Sequence, residues 1–392
     1  MRRVYLDHSA TTPVDPEVAS LMMTYYTEKY GNPSSIHSFG QEVRNAVEQA
    51  RHQVAALIGA KPDEITFTSG GTEADNMAIL GVADAYRKKG RHIITSAVEH
   101  HAVLDTCEYL AKNGFELTIL PVNEEGIVSV EDLAQAIRPD TILISIMHAN
   151  NEVGAIQPIA DIGKLAQEHK VLFHVDAVQS LGKIPVNVKE MNVDLMTVSS
   201  HKIYGPKGVG ALYIRKGIRL VPLFHGGGQE KKRRSGTENA PGIIGFGKAC
   251  ELAGRRMAAE AAELKILRDK LLQGILDKID YVKVNGPLGD SRLPNNVNVS
   301  IRFVEGESLL LSLDMLGIAA SSGSACTSGS LDPSHVLLAM RMPHEIAHGS
   351  LRFSLGRQNT EEDIDYVLEQ LPKIVERLRM MSPLYDQMKQ AQ

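Results

Sequence analysis

Leu195-Met196-Thr197-Val198-Ser199-Ser200-His201-Lys202-Ile203-Tyr204-Gly205-Pro206-Lys207-Gly208 runs from an apolar stretch straight into a lysine and a glycine–proline turn. Residues 195–198 read as a buried strand, and Lys202 stands just past its carboxyl end with few other charges nearby. Upstream, residues 65–68, 92–95, 116–120, 141–147 and 171–175 read as strands too. Helical patterns over 73–89 and 159–169 separate several of them, and another helix covers 42–58, ending at Gly59. That alternation predicts βαβ units, an α/β fold and a mainly parallel central sheet with helices on both faces. Ligands in such sheets bind at the carboxyl ends of the strands, so the polar residues just after them carry the functional reading.

From about Glu260 the pattern changes. A helix is expected over 260–279, a strand over 298–303, and a last helix from Thr360, opened by Glu361, Glu362 and Asp363 and bent at Pro372. We therefore expect a large domain over 15–258. A smaller α+β domain is expected to combine 1–14 with 259–392.

Bulk composition narrows the function. The 392 residues carry a net charge of -5 and no Trp, which disfavours nucleic acid as a partner. No stretch is apolar enough to span a membrane, and the first residues lack the apolar run of a signal peptide. Three scattered cysteines, Cys107, Cys250 and Cys326, suit a reducing compartment, so a cytoplasmic protein is expected.

Three strand ends carry candidate chemistry. Ser69-Gly70-Gly71-Thr72-Glu73 follows a strand and opens a helix; it is either an anion cradle or an ordinary turn, and Thr72 with Asp75 fits a capping box. Asp176 closes an apolar strand, either as a helix N-cap or as a buried carboxylate for a protonated ring nitrogen. Lys202 is either a surface loop lysine or an amine able to attack an aldehyde, with Ser199 and His201 beside it as donors for a phosphate.

SGGTEADN (69–76), EHHAV (99–103), HANNEVG (148–154), HVDAVQ (174–179), SSHKIYGPKGVGALY (199–213), RRSGTEN (233–239), SSGSACTSGS (321–330) and SLRFSLGR (350–357) resemble, in order, the motifs of NifS/IscS-type cysteine desulfurases. These are fold-type I pyridoxal-phosphate enzymes of the class-V aminotransferase family. The resemblance implies pyridoxal 5'-phosphate held by Gly71, Thr72, Ser199 and His201, with Asp176 on the ring nitrogen and Lys202 as the Schiff-base lysine. It places His100 over the ring as a proton carrier, and Asn151 and Gln179 near the ring hydroxyl and substrate. Arg352 would pair with the substrate carboxylate. Thr237 would reach the partner subunit's cofactor, which implies a homodimer.

Cys326 would take sulfur from L-cysteine as a persulfide, leaving alanine, and pass it to an acceptor protein such as an iron–sulfur scaffold. Its small, glycine-containing surroundings, about 321–333, are expected to be mobile. Cluster assembly, nitrogenase maturation and tRNA thiolation all begin with such a persulfide, so the acceptor stays open. A selenocysteine lyase, an aminotransferase, a non-catalytic module on the same scaffold and a remoter nicotinamide dehydrogenase are the alternatives. No metal is expected: His344-Glu345-Ile346-Ala347-His348 matches HExxH but is cut short by Gly349. The basic run 231–234 is read as a solvated or interface loop.

Overall fold

A computed structural model describes residues 2–322 and 333–390. After the short strand β1 (Val4–Tyr5), seven strands build the central sheet: β2 (Ile65–Thr68), β3 (His92–Ser96), β4 (Glu116–Leu120), β5 (Thr141–Ser145), β6 (Leu172–Asp176), β7 (Leu195–Ser199) and β8 (Gly210–Ile214). Their order is β2-β8-β7-β6-β5-β3-β4. All neighbours from β7 to β4 are parallel, while β8 is antiparallel to both β2 and β7. β2 therefore points the same way as β7, and their carboxyl ends share one edge.

The helices of this region are α1 (Pro16–Thr27), α2 (Ser38–Leu57), α3 (Gly71–Tyr86), α4 (His101–Lys112), α5 (Val130–Ala136), α6 (Ile159–His169) and α7 (Ala240–Lys278). Side chains alternate across each strand, so one strand feeds two cores. Met196, Val198, Ala211 and Tyr213 join α2, α6 and the first half of α7; Leu195, Leu212 and Ile214 join α3 and α4. Both faces are thus covered, as a buried parallel sheet requires.

Beyond it lies an antiparallel sheet ordered β12-β10-β9, made of β9 (Val282–Val284), β10 (Asn296–Ile301) and β12 (Ser350–Ser354). β11 (Ile318–Ala319) pairs with β1. α8 (Gly306–Asp314), α9 (His335–Ala339), α10 (His344–Ala347), α11 (Glu361–Arg379) and α12 (Pro383–Gln390) complete the described chain. A separate cluster joins Val4 and Leu6 with Leu271, Val299, Phe353 and Leu371; burying each such side chain fully is worth about 1.5–3 kcal/mol.

Two expectations change. The helix expected over 260–279 is the second half of α7, which is 39 residues long. Its first half carries Gly242, Gly245, Gly247 and Gly254, which weakens a helical reading. Those glycines permit close packing: a Cβ on Gly247 would meet the Cα of Ala50 at 2.5 Å. β8 was not among the expected strands. It opens on Gly210, whose backbone is pressed against Gly70, and its apolar run is short. Pro372 lies inside α11, and α12 follows as a further helix.

Candidate active site

A pocket of about 420 Å³ opens at the carboxyl edge of the sheet. Gly71 and Thr72 reach it from the start of α3, His100 from the N-cap of α4, and Asn151 from the loop after β5. Asp176 is the last residue of β6 and Gln179 follows it; Ser199 ends β7, with His201 and Lys202 in the turn beyond. Arg352, in the middle of β12, lines the same pocket. Residues far apart in sequence are gathered because parallel strands deliver their ends to one edge, and Arg352 is brought in from the antiparallel sheet. Thr237 is exposed and does not line the pocket of its own chain. Cys326 lies outside the described residues.

The turn into α3 is special backbone. Gly70 has φ 156° and ψ -175°, a region open essentially to glycine alone, and no side chain caps the helix. The first-turn N–H groups are left for another acceptor. The expected capping box of Thr72 and Asp75 does not form. Asp75 sits on the buried face of α3, 1% exposed, with its carboxylate 3.6 Å from His174 Nε2. His174 is held between the hydroxyls of Ser145 (2.8 Å) and Thr197 (3.0 Å), and burial pushes it down to about 3, so the ring is neutral.

Burial dominates the electrostatics here. Asp75 is raised well above the carboxylate range by burial and then by the charge of Asp176. Asp176 is raised less, because the Val178 N–H at 2.8 Å and the charge of Lys202 pull it back. Of this coupled pair, Asp176 is the carboxyl that ionises. Glu99, behind them, is pushed up to about 8 by burial.

Lys202 Nζ donates to the carbonyl oxygens of Ser9 (2.5 Å) and Ala10 (2.7 Å). His100 and His201 are each lowered to about 4, first by burial and then by Lys202. His100 Nδ1 accepts from the Ala102 N–H at 3.1 Å, so the neutral ring carries its proton on Nε2. Arg352, 2% exposed, donates to the Asn151 carbonyl (3.0 Å) and pairs with Asp7 (2.8 Å).

Such a lysine, carboxyl and histidine at strand ends suit a ring cofactor bound through an aldehyde. The Aminotransferase class-V model matches residues 4–367. The chain belongs to the class-V aminotransferase family. Within that family it groups with the cysteine desulfurases. It is 58% identical over 382 residues to "Cysteine desulfurase IscS" of Dictyoglomus turgidum, covering 97% of both chains. Among solved structures, a "NIFS-LIKE PROTEIN" superposes with a TM-score of 0.90 at 43% identity, covering 96% of this chain and all (100%) of that one. "SspA in complex with cysteine" gives 0.80 at 39% identity, covering 90% of this chain and 98% of that one.

Sequence reasoning missed several neighbours of this class-V site. Ser9 and Ala10 enter from the chain's start through backbone carbonyls, which no motif signals. Asp75 lines the pocket from the buried face of α3, with His174 and Glu99 behind it; the spacing of Asp75 from Thr72 reads as a helix cap, which hid it. Cys107 and Cys250 are both buried, with Cys107 pushed up to about 12 and Cys250 also raised, as inert thiols are. The 231–234 run folds back on its own chain: Lys231 donates to the Asp63 carbonyl and Arg234 pairs with Glu73. Among the described residues, no helix is long and apolar enough to cross a membrane.

Proposed function

We propose that this class-V family member is a cysteine desulfurase that uses pyridoxal 5'-phosphate to move sulfur from L-cysteine to Cys326, releasing L-alanine. The observation that carries the reading is one pocket lined by Lys202, Asp176, His100 and Arg352 in a chain whose relatives bear that name.

The residues fit the cofactor. Ser199 Oγ is buried without a hydrogen-bond partner among the described residues, beside the uncapped first turn of α3. Together with Thr72 and His201, these groups would hold a phosphate. A Cβ on Gly71 would come to 3.0 Å from Val178 Cγ2, so a side chain there would press on the wall of the cradle. Asp176 would face the ring nitrogen, and Lys202 would hold the aldehyde. Bound there, the cofactor supplies an electron sink at the amino acid's α-carbon.

The chain's own groups do the rest. Arg352 holds the substrate carboxylate with its planar guanidinium, after sharing or exchanging Asp7. The Lys202 amine takes the α-proton. His100, neutral at pH 7, passes protons. The Cys326 thiolate forms a bond to the substrate sulfur as that sulfur's bond to carbon breaks. The carbon fragment takes up a proton and leaves as alanine, and Cys326 keeps the sulfur as a persulfide for an acceptor protein such as an iron–sulfur scaffold.

A homodimer belongs to the same proposal. Tyr30, Ile36 and Phe39 are exposed, Ile36 at 94%, and the Tyr30 and Phe39 rings lie tilted to each other with centroids 6.3 Å apart. Exposed apolar clusters of this kind suit a second copy, which would also receive Thr237. The division into domains over 15–258, and 1–14 with 259–392, is supported by the cluster that joins Val4 and Leu6 to the C-terminal elements apart from the two cores of the central sheet, although Val336, Leu337 and Met340 pack on one of those cores.

The test is mass spectrometry of the purified protein after adding L-cysteine. One added sulfur on Cys326, with alanine released, is the expected result. Alanine and sulfide at the wild-type rate from Cys326→Ala would remove the persulfide step.

A further inference from the structure

Lys183 has no role in the reading above, yet it lies against the site. It follows the 174–179 motif in Gly182-Lys183-Ile184. Its Nζ donates to the Gln179 backbone carbonyl and to the Gln179 side-chain oxygen Oε1, each at 3.0 Å. Gln179, 5% exposed, donates from Nε2 to the Ser9 carbonyl at 2.9 Å. That same carbonyl accepts from Lys202. In the chain Lys183–Gln179–Ser9–Lys202, the last three line the pocket and Lys183 stands behind Gln179.

We propose that Lys183 is a positioning residue that locks the Gln179 amide with its N–H side toward the pocket. A carboxamide can sit either way round, and its partners decide which. An ammonium only donates, so Oε1 must face Lys183. A backbone carbonyl only accepts, so Nε2 must face Ser9. The second hydrogen of Nε2 is then the donor that Gln179 offers a ligand oxygen. Turned over, the amide would present a carbonyl and repel a negatively charged oxygen. The inference rests on the pyridoxal phosphate reading and deepens it: the oxygen is the cofactor's ring oxygen. Lys202 and Arg352 act electrostatically on Lys183, and Lys183 acts in turn on His8 and His201. Burial and the charges of Lys202 and Arg352 push its ammonium down to about 7, so Lys183 is a pure donor on the acid side of that value.

The test is spectroscopic and uses the cofactor-loaded protein. Wild type, Lys183→Met, Gln179→Leu and the double variant are titrated with pH while the visible cofactor band is followed. Each apo form is titrated with pyridoxal phosphate for affinity. A ring oxygen that loses its donor becomes more basic. Lys183→Met should therefore raise the band's pKa by about one unit and weaken binding about tenfold, the same free energy. Loss of a positive charge alone would also raise that pKa, and the double variant separates the two causes. If Lys183 works through the amide, Lys183→Met adds little once Gln179 is Leu. Additive shifts, or an unchanged band in Lys183→Met, overturn the proposal. Should Lys183→Met fail to fold, Lys183→Gln replaces it with the same two outcomes. A wild-type protein that forms no band at all would sink the cofactor reading itself, and this inference with it.

Discussion

Lys202 and Arg352 divide the amino-acid adduct between them, one at the reacting carbon and one at the carboxylate. Lys202→Ala should abolish the visible band and all turnover of L-cysteine, read by absorbance and alanine release. Residual turnover near wild type would rule Lys202 out as the base. Arg352→Lys keeps the charge but loses the two-pronged fork that reaches both Asn151 and Asp7. It should raise KM about tenfold or more with a smaller effect on kcat, because one charged hydrogen bond of about 1.5–3 kcal/mol is lost from substrate binding. An unchanged KM would place the substrate carboxylate elsewhere. Both residues were legible in the sequence because their motifs surround them. Asp75 was not, since its short spacing from Thr72 imitates a helix cap and only the turn of α3 shows that it faces inward.

At the scale of the element, the segment between β8 and α7 is pinned by one buried residue. Glu230 takes a left-handed backbone, φ 43°, and its carboxylate receives both Arg51 Nη1 (2.8 Å) and Nη2 (2.7 Å), plus the Phe67 N–H (2.8 Å). Glu230→Gln removes the buried charge facing Arg51 and leaves only the half-exposed carboxylate of Glu48, 3.2 Å from Nε. It should cost about 3–5 kcal/mol in urea unfolding, the range for breaking a buried pair from one side. A loss below 1 kcal/mol would mean that solvent reaches Arg51. On α7, Gly247→Val drives a side chain into Ala50 of α2, where even a Cβ would sit 2.5 Å from its Cα. Overpacking of this kind costs about 1–3 kcal/mol, so the melting temperature should fall while the α-helical circular dichroism below it is kept. Glycine at these positions argues against a helix by local propensity. Packing against α2 reverses that argument, so a sequence reading found only half of α7.

For the whole molecule, buried histidines set the acid limit. His8, His100, His148 and His201 are each lowered from 6.5 to about 4, and His174 to about 3, all by burial first. Each is neutral in the folded protein but binds a proton once unfolded, so folding stability is lost as pH falls from 6.5 toward 4. Three buried carboxyls act oppositely: Glu99, raised to about 8, Asp176, raised to about 6, and Asp75, raised well above the carboxylate range, favour the folded state as pH falls below their folded values. The five histidines outnumber them. The melting temperature of the apoprotein should drop on acidification through pH 6.5 to 4; a flat or rising curve in differential scanning fluorimetry would contradict these burial assignments. Association belongs to this scale too. Sedimentation should give a dimer, and Ile36→Asp with Phe39→Asp should shift it toward monomer; a wild-type monomer would remove the role given to Thr237.

The alternation of apolar runs, the strand-end lysine and carboxyl and the family motifs were all readable along the chain, because each depends on residues near one another in sequence. That is why the α/β class, the parallel sheet and most of the pocket could be named without coordinates. Folding alone decided that β8 enters antiparallel, that α7 continues through its glycines, and that Ser9, Asp75, His174 and Lys183 stand around the same pocket. Those facts depend on long-range packing and on which face of an element is buried, and neither leaves a local signature in the order of residues.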